Sequence, residues 1–259
     1  GAEDTVEVFA TPTAAIRWDA SGGAIWFGRL ERGERPGSVS ESEGVLDRLR
    51  PDRTTLAEAG VRWRPPEAAW SAEASVGWLD WRDVQADVVT PGGELVTGNV
   101  GDGRVGFVQL KARWDPSPAL SLSGDLFLNE SRLVLSGPNV IGVAGGDIPN
   151  VARSGARLGL AWEAGPVLGL PLGLSADLRY VGRSRPGLGP GLDALQGGYV
   201  RADLGARWGG DAAALVVRLS NPHDAWAVRY GVGSPYQLHS PEGAPPRPPT
   251  LRMGVEARF

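Results

Sequence analysis

The chain has 259 residues with 38 Gly, 21 Pro and no Cys, and its formal net charge at pH 7 is −4. The absence of cysteine excludes a disulfide framework, cysteine catalysis and cysteine-ligated zinc. The slight acidic excess speaks against a nucleic-acid-binding protein, which would carry a basic surplus, and no apolar run is long enough to form a membrane-spanning helix.

Alternation of apolar and polar residues, the period of a half-exposed β-strand, recurs along the chain. In the last such stretch Leu251, Met253 and Val255 share one face, and Arg252 and Glu256 share the other. We predict eleven strands, which begin in chain order near Val6, Ala24, Thr54, Trp70, Arg104, Leu120, Ser154, Gly173, Tyr199, Ala213 and Thr250. The first is predicted over residues 6–18, because a strand needs about 9–11 residues to cross a bilayer.

Every second predicted strand ends in an aromatic residue on its apolar face. These residues are 45 to 51 positions apart, and they are Trp18, Trp63, Trp114, Trp162, Trp208 and Phe259. Amphipathic rings are most stable at the headgroup level of a membrane, where they form a girdle around transmembrane barrels. The pattern therefore predicts an all-β protein, a transmembrane antiparallel β-barrel whose membrane girdle contains these six side chains.

The predicted connections alternate in length. Those that follow the tryptophans are short, with a slightly longer one, rich in Gly and Pro, after Trp162. The others are long and rich in Gly and Pro, at residues 33–53, 87–103, 132–153, 183–198 and 221–249. Short turns on one side and long loops on the other are typical of outer-membrane barrels, with the short turns in the periplasm. A soluble β-sandwich also alternates apolar and polar residues, but it buries its tryptophans in mid-strand.

An odd number of antiparallel strands cannot close on itself without one parallel seam. Bacterial single-chain barrels have an even, antiparallel strand count. Pro12 lies in the first predicted strand, and proline within a strand belongs at an edge or a bulge. We therefore expect residues 1–259 to be part of a larger barrel whose remaining strands are carried by another segment or chain.

Several stretches resemble, in order and spacing, the C-terminal half of the barrel of TonB-dependent outer-membrane receptors. They are similar to that family's Tyr-Glu-x-Gly strand, its aromatic-Asp strand, its Ile-Pro-Asn segment, its Asn-Leu-x-Asp motif and its terminal strand ending in Phe. The matching residues are Leu56-Ala57-Glu58-Ala59-Gly60-Val61-Arg62, Leu79-Asp80-Trp81-Arg82-Asp83-Val84, Asp147-Ile148-Pro149-Asn150-Val151, Leu219-Ser220-Asn221-Pro222-His223-Asp224, and Pro249 to Phe259. Pro222 departs from the usual Leu.

The resemblance implies a fold and a set of partners. The chain would form about the last eleven strands of a 22-stranded barrel, with the plug domain and the N-terminal strands absent from it. It would act in the outer membrane of a Gram-negative bacterium, in contact with membrane lipid, and import a scarce ligand such as a siderophore, cobalamin or glycan. A second chain or segment would supply the plug, and through it an inner-membrane protein would supply energy. No nucleic acid and no cofactor are implied.

Successive residues of a strand point to opposite faces, so the alternation (the parity of a residue's position in its strand) places many charged side chains on the lumen face, opposite the apolar one. They include Arg17, Glu58, Arg62, Glu73, Lys111, Arg113, Asp125, Arg157, Asp177, Arg179, Arg201, Asp203, Arg207, Arg218, Arg252 and Glu256. They could guide a charged ligand or contact a plug, or they could simply form cross-strand charge pairs. With the long loops, chiefly 221–249 and 132–153, they give the candidate ligand contacts Arg179, Arg183, Arg201, Asp203, His223, Tyr236 and His239.

Two other functions stay open. No Ser/His/Asp spacing typical of a hydrolase occurs, so no catalytic residue and no metal site is predicted, but a lipid-hydrolysing barrel that depends on His223 or His239 is an alternative. A structural or pore-forming subunit of a multiprotein assembly is the other. Steady ion conductance would favour the pore, whereas a receptor with a plug would not conduct.

Overall fold

The computed structural model describes residues 9–42, 45–89, 95–136, 146–188, 192, 195–225, 230–232 and 242–258. Within these residues the protein is all β apart from a 3₁₀ turn at Ser21–Gly23. The strands are β1 (Thr13–Asp19), β2 (Ala24–Arg35), β3 (Ser38–Ser42), β4 (Val45–Leu49), β5 (Asp52–Trp63), β6 (Trp70–Val89), β7 (Leu95–Ser117), β8 (Leu120–Leu135), β9 (Ser154–Val167), β10 (Leu170–Val181), β11 (Tyr199–Gly209), β12 (Ala213–Ser220), β13 (Tyr230–Val232), β14 (Glu242–Ala244) and β15 (Thr250–Ala257).

Eleven of these strands form one sheet in the order β1-β2-β5-β6-β7-β8-β9-β10-β11-β12-β15. Every neighbouring pair is antiparallel. The predicted number of strands and their sequential pairing are confirmed. Among the described strands the sheet is not closed, because β1 pairs only with β2 and β15 pairs only with β12.

The two faces of the sheet follow the predicted parity. In the β10–β11 ladder Leu174 pairs with Ala206, Ala176 with Leu204 and Leu178 with Ala202, so apolar side chains stand beside apolar side chains. This face exposes long hydrophobic residues such as Ile16 (73%) and Met253 (67%). The opposite face carries the charged residues and is concave, since side chains from seven strands surround one cavity there.

Tight connections join the strands on the tryptophan side, as predicted, with one difference. After Trp162 the sequence predicts a longer turn, but β9 continues to Val167 and the turn consists of Leu168 and Gly169 alone. Both residues have positive φ, 53° and 80°. This is the backbone of the two-residue hairpins whose twist suits neighbouring strands.

The predicted first strand is wrong in part. Residues 9–12 are not strand, and β1 begins at Thr13, whereas Val6 lies outside the described residues. The Pro12 carbonyl still accepts a hydrogen bond from Arg32 N at 3.0 Å. Proline has no N–H to donate, however, so the ladder of β1 with β2 ends there.

The predicted loop at residues 87–103 is also wrong. β6 runs to Val89, β7 begins at Leu95, and only 90–94 between them are outside the described part. The reason is burial: these extensions contribute to a small hydrophobic cluster, the outer-end core, made of Val84, Val88, Val100, Val105, Leu133, Ile148 and Leu188. The composition of residues 87–103 is typical of a loop, but packing in this cluster makes 87–89 and 95–103 strand, because side-chain burial decides strand formation more than intrinsic propensity does. Two further predicted loops contain the separate hairpins β3–β4 and β13–β14.

The segment around Ile148 closes the outer-end core. Ser131 Oγ accepts a hydrogen bond from Ile148 N at 3.1 Å. Asn150 donates through Nδ2 to the Pro186 carbonyl at 3.1 Å, and its Oδ1 accepts from Gln196 Nε2 at 2.8 Å. These bonds tie the stretch after β8 to the stretch after β10, on the side of the sheet away from the tryptophans.

Phenylalanine rings cover glycines on the concave face. A Cβ atom built on each of these glycines would meet the ring at 2.5, 2.1 and 2.3 Å respectively, in the cross-strand pairs Phe27–Gly60, Phe107–Gly77 and Phe127–Gly155. Such aromatic cover protects strand glycines that have no side chain to pack. The rings therefore lie against the wall of the sheet.

Candidate functional site

A cavity of about 680 Å³ occupies the concave face between β7 and β15. It is called the lumen cavity here. Six arginines and two aspartates are its charged lining residues, namely Arg113, Arg157, Asp177, Arg201, Asp203, Arg218, Arg247 and Arg252. The cavity is thus basic, although the chain as a whole has a net charge of −4.

Register brings these arginines together. On the concave face Arg179 pairs with Arg157 of β9 on one side and with Arg201 of β11 on the other. Arg218 of β12 is directly opposite Arg252 of β15. Because directly opposed side chains have their Cβ atoms about 4.5–5.5 Å apart, positive charge accumulates in two rows.

Both lining carboxylates are already engaged. Asp177 forms an ion pair with Arg157, and Asp203 Oδ1 is 2.9 Å from Arg201 Nη2. The side chains of Arg201 and Asp203 are only about one-third exposed. Arg201 Nε is buried and has no hydrogen-bond partner among the residues that the structure describes.

The positive charge left over faces the cavity. Arg113 is paired with Asp115 at the turn, at 2.9 Å, but no ion pair or side-chain hydrogen bond joins Arg218 or Arg252 to any described residue. A concave wall of one sign focuses the electric field and raises the local concentration of the opposite sign of solute. The geometry therefore suits an anionic group.

The predicted ligand contacts fall into three groups. Arg201 and Asp203 line the lumen cavity, and Arg179 lines a neighbouring cavity of about 300 Å³ beside Arg157. Two others lie apart from the lumen cavity: Arg183 is exposed beyond the end of β10, and His223 Nε2 is 2.9 Å from the Val200 carbonyl oxygen. Tyr236 and His239 lie outside the described residues. Ligand binding by all of these residues stays a prediction.

Sequence reasoning did not single out the full set of arginines. Parity placed Arg157, Arg218 and Arg252 on the lumen face. It gave no reason to group them, because it does not say which residues of neighbouring strands are opposite each other. The strand register supplies that information. Arg247 was missed altogether, since it lies in the long stretch before β15 that carries no alternation. In the described part of the chain no three His, Asp or Glu side chains converge as metal ligands.

The opposite, apolar face carries the aromatic residues. Trp18, Trp63, Trp114 and Trp162 are 46% to 65% exposed there. Their polar edges find backbone partners in places: Trp63 Nε1 donates to the Gly22 carbonyl at 3.1 Å, and Trp208 Nε1 donates to that of Val167 at 2.8 Å. Phe259 lies outside the described residues. Their role as a membrane girdle stays a prediction.

No helix in the described residues has the length and apolarity to cross a membrane. A sequence search of curated proteins finds no match. A family model for the TonB-dependent receptor-like β-barrel, in contrast, matches residues 2–232.

Solved structures share the fold at low identity. The ferric yersiniabactin uptake receptor FyuA from Yersinia pestis matches with a TM-score of 0.68 and 17% identity, over 94% of this chain and 36% of its own. The ferric-catecholate import receptor Fiu from K12 E. coli gives 0.71 and 16%, over 95% and 34%. The copper transporter OprC gives 0.70 and 16%, over 96% and 39%. The chain thus spans between 34% and 39% of the length of these proteins.

Proposed function

This chain belongs to the TonB-dependent receptor β-barrel family, and on that premise we propose that it forms the C-terminal part of the barrel of a receptor that imports a scarce ligand across the outer membrane of a Gram-negative bacterium. The observation that carries the proposal is the eleven-stranded antiparallel sheet with an exposed apolar face and a concave, charged face. The apolar face would contact membrane lipid, and the concave face would line the passage.

The cargo would be a siderophore, cobalamin or a glycan. The similar structures are named for ferric yersiniabactin, ferric catecholates and copper, and these names favour a metal chelate. Within the described residues, the basic lumen cavity is the part of this chain that supports recognition of such a cargo, since many chelates carry negative charge that arginine can bind.

A second segment or chain would complete the barrel. Because strand direction alternates across eleven strands, β1 and β15 run in the same direction. The completing piece must therefore supply an odd number of strands, with both of its edge strands antiparallel to β1 and β15. It would also carry the plug and, through the plug, the contact with the inner-membrane energy-coupling protein. A second copy of this sheet inserted in the same orientation does not meet the requirement, since its edge strands run in the same direction as β1 and β15.

Planar-bilayer conductance of the purified complex tests the proposal. We expect no steady conductance, because a plug blocks the lumen, and we expect cells that make the complex to accumulate a labelled ferric siderophore. The matched control is the same cells treated with a protonophore, in which accumulation should cease. Continuous conductance together with energy-independent accumulation would instead indicate the pore-forming subunit.

A further inference from the structure

Two arginines of the lumen cavity are opposite each other, with no counter-charge among the residues that the structure describes. Arg218 and Arg252 are directly opposite on the β12–β15 ladder. Like charges in this position destabilise a sheet, and neither side chain has an ion-pair or hydrogen-bond partner in the part of the chain that the structure describes. Among the described residues the two like charges are therefore uncompensated, and an anion between the two guanidinium groups would neutralise them.

Neighbouring residues do not supply that anion. On the other side of Arg218 the register places Gly205, which has no side chain. The nearest acidic residues on β11 and β15 are engaged elsewhere, Asp203 by Arg201 at 2.9 Å and Glu256 by Arg207 at 3.3 Å. Both side chains, unpaired within the described part of the chain, border the open volume of the lumen cavity.

We propose that Arg218 and Arg252 together bind an oxyanion, a carboxylate or phosphate group of the solute that the receptor takes up. The planar guanidinium group presents parallel N–H donors that match the two oxygens of a carboxylate or phosphate. Two such groups on adjacent strands bind one oxyanion from both sides, and the basic cavity wall excludes cations. That the anion belongs to imported cargo rests on the proposed function, whereas the binding chemistry does not.

A protein carboxylate is the competing occupant. β15 is an edge of the sheet, so a strand or plug segment of the completing piece could bring an acidic side chain to Arg252. In that case the pair would join two protein segments and would not bind solute. The two occupants are separated by whether the assembled protein still binds a small anion.

Calorimetric titration of the protein purified from outer membranes in detergent tests the inference, because any segment that completes the barrel is then retained. The probes are citrate and inorganic phosphate at low ionic strength. We expect both probes to bind the wild type. Arg218→Gln and Arg252→Gln should each raise the dissociation constant about ten-fold or more, as loss of a charged hydrogen bond does. Arg218→Lys should restore part of the affinity for phosphate, since it keeps the charge.

Arg62→Gln is the matched control. Arg62 is also on the concave face but already pairs with Glu73 at 2.8 Å, so its replacement should leave anion binding unchanged. Unaltered tryptophan emission shows that the variants are folded. The inference is overturned if the wild type binds neither probe, which would assign the pair to a protein carboxylate, or if the Gln variants bind as the wild type does. Loss of cellular uptake with anion binding intact would refute the proposed function alone.

Discussion

At the scale of single residues, the concave wall depends on glycines that accept a ring. Gly77 is opposite Phe107, and a Cβ atom added there would be 2.1 Å from the ring. The ring is a rigid unit that moves only by rotation about χ1 and χ2, so an added methyl group must displace it as a whole. Side-chain volume that is trivial elsewhere in a strand is therefore costly at this position.

Gly77→Ala should lower the free energy of unfolding by about 1–3 kcal/mol, the usual cost of overpacking. Gly254→Ala is the control, since no atom lies within 4 Å of a Cβ there. The measurement is urea unfolding in liposomes followed by tryptophan emission. The double variant Gly77→Ala/Phe107→Ala should recover part of the loss. Equal losses for Gly77→Ala and Gly254→Ala would show that the ring contact is irrelevant.

At the scale of elements, the β9–β10 hairpin contains an avoidable strain. Leu168 has a φ of 53°, a left-handed conformation that costs a residue with a Cβ about 1–2 kcal/mol. Its side chain is 87% exposed, so no packing requires leucine at this position. The residues that favour this type of turn are Asn and Gly.

Leu168→Asn should raise the free energy of unfolding by about 0.5–1 kcal/mol, because Asn tolerates the left-handed backbone. Ala119→Asn, in the β7–β8 turn where φ is negative, should give no gain. Urea midpoints of the two variants and the wild type, measured in the same liposomes, check the expectation. A gain at both turns would point to general solubility as the cause.

Truncation of Ile148 tests whether the outer-end core, to which the extensions of β6 and β7 contribute, unfolds separately from the rest of the sheet. Ile148 is 2% exposed, and its truncation to Ala typically costs about 2–5 kcal/mol. We expect Ile148→Ala to release the stretches after β8 and β10, so that limited proteolysis cuts there while the remaining sheet stays protected. Ile16→Ala, on the exposed apolar face, should leave the cleavage pattern unchanged. Cleavage spread evenly over all strands of Ile148→Ala would mean that the core is not an independent unit.

At the scale of the whole molecule, the proposed function requires lipid over the exposed apolar face. In the proposed membrane orientation, Trp63 would lie at the headgroup level on that face, whereas Trp81 packs against the outer-end core on the concave side. The two indoles therefore differ in their access to lipid, although both belong to the same sheet.

Lipids brominated near the headgroup should quench Trp63 strongly and Trp81 weakly. Trp63→Phe is expected to remove a measurable share of the quenching of the reconstituted protein, and Trp81→Phe to remove almost none, because bromine quenches indoles at contact. Lipids brominated near the chain ends are the depth control and should quench Trp63 less. Quenching that is the same for both variants would contradict a lipid cover on one face only.

The strands of the sheet could be predicted from the sequence because alternation is a local signal. Leu251, Met253 and Val255 alternate with polar residues, so their shared face can be predicted from one strand alone. The extension of β6 and β7 could not be predicted, because the burial of Val88 depends on Leu188, a hundred positions away in the sequence. The lumen cavity is an intermediate case: parity gives the face of Arg218, but only the register shows that Arg252 is its neighbour.

In the proposed receptor, the phenylalanines that rest on glycines would affect the width of the passage. A phenyl ring that projected inward would change the width of the bore whenever it changed rotamer. Each of these rings instead lies flat against a glycine, in the space that a side chain would otherwise fill. At these three positions the width of the proposed passage is then set by the backbone and not by the rotamer of a ring.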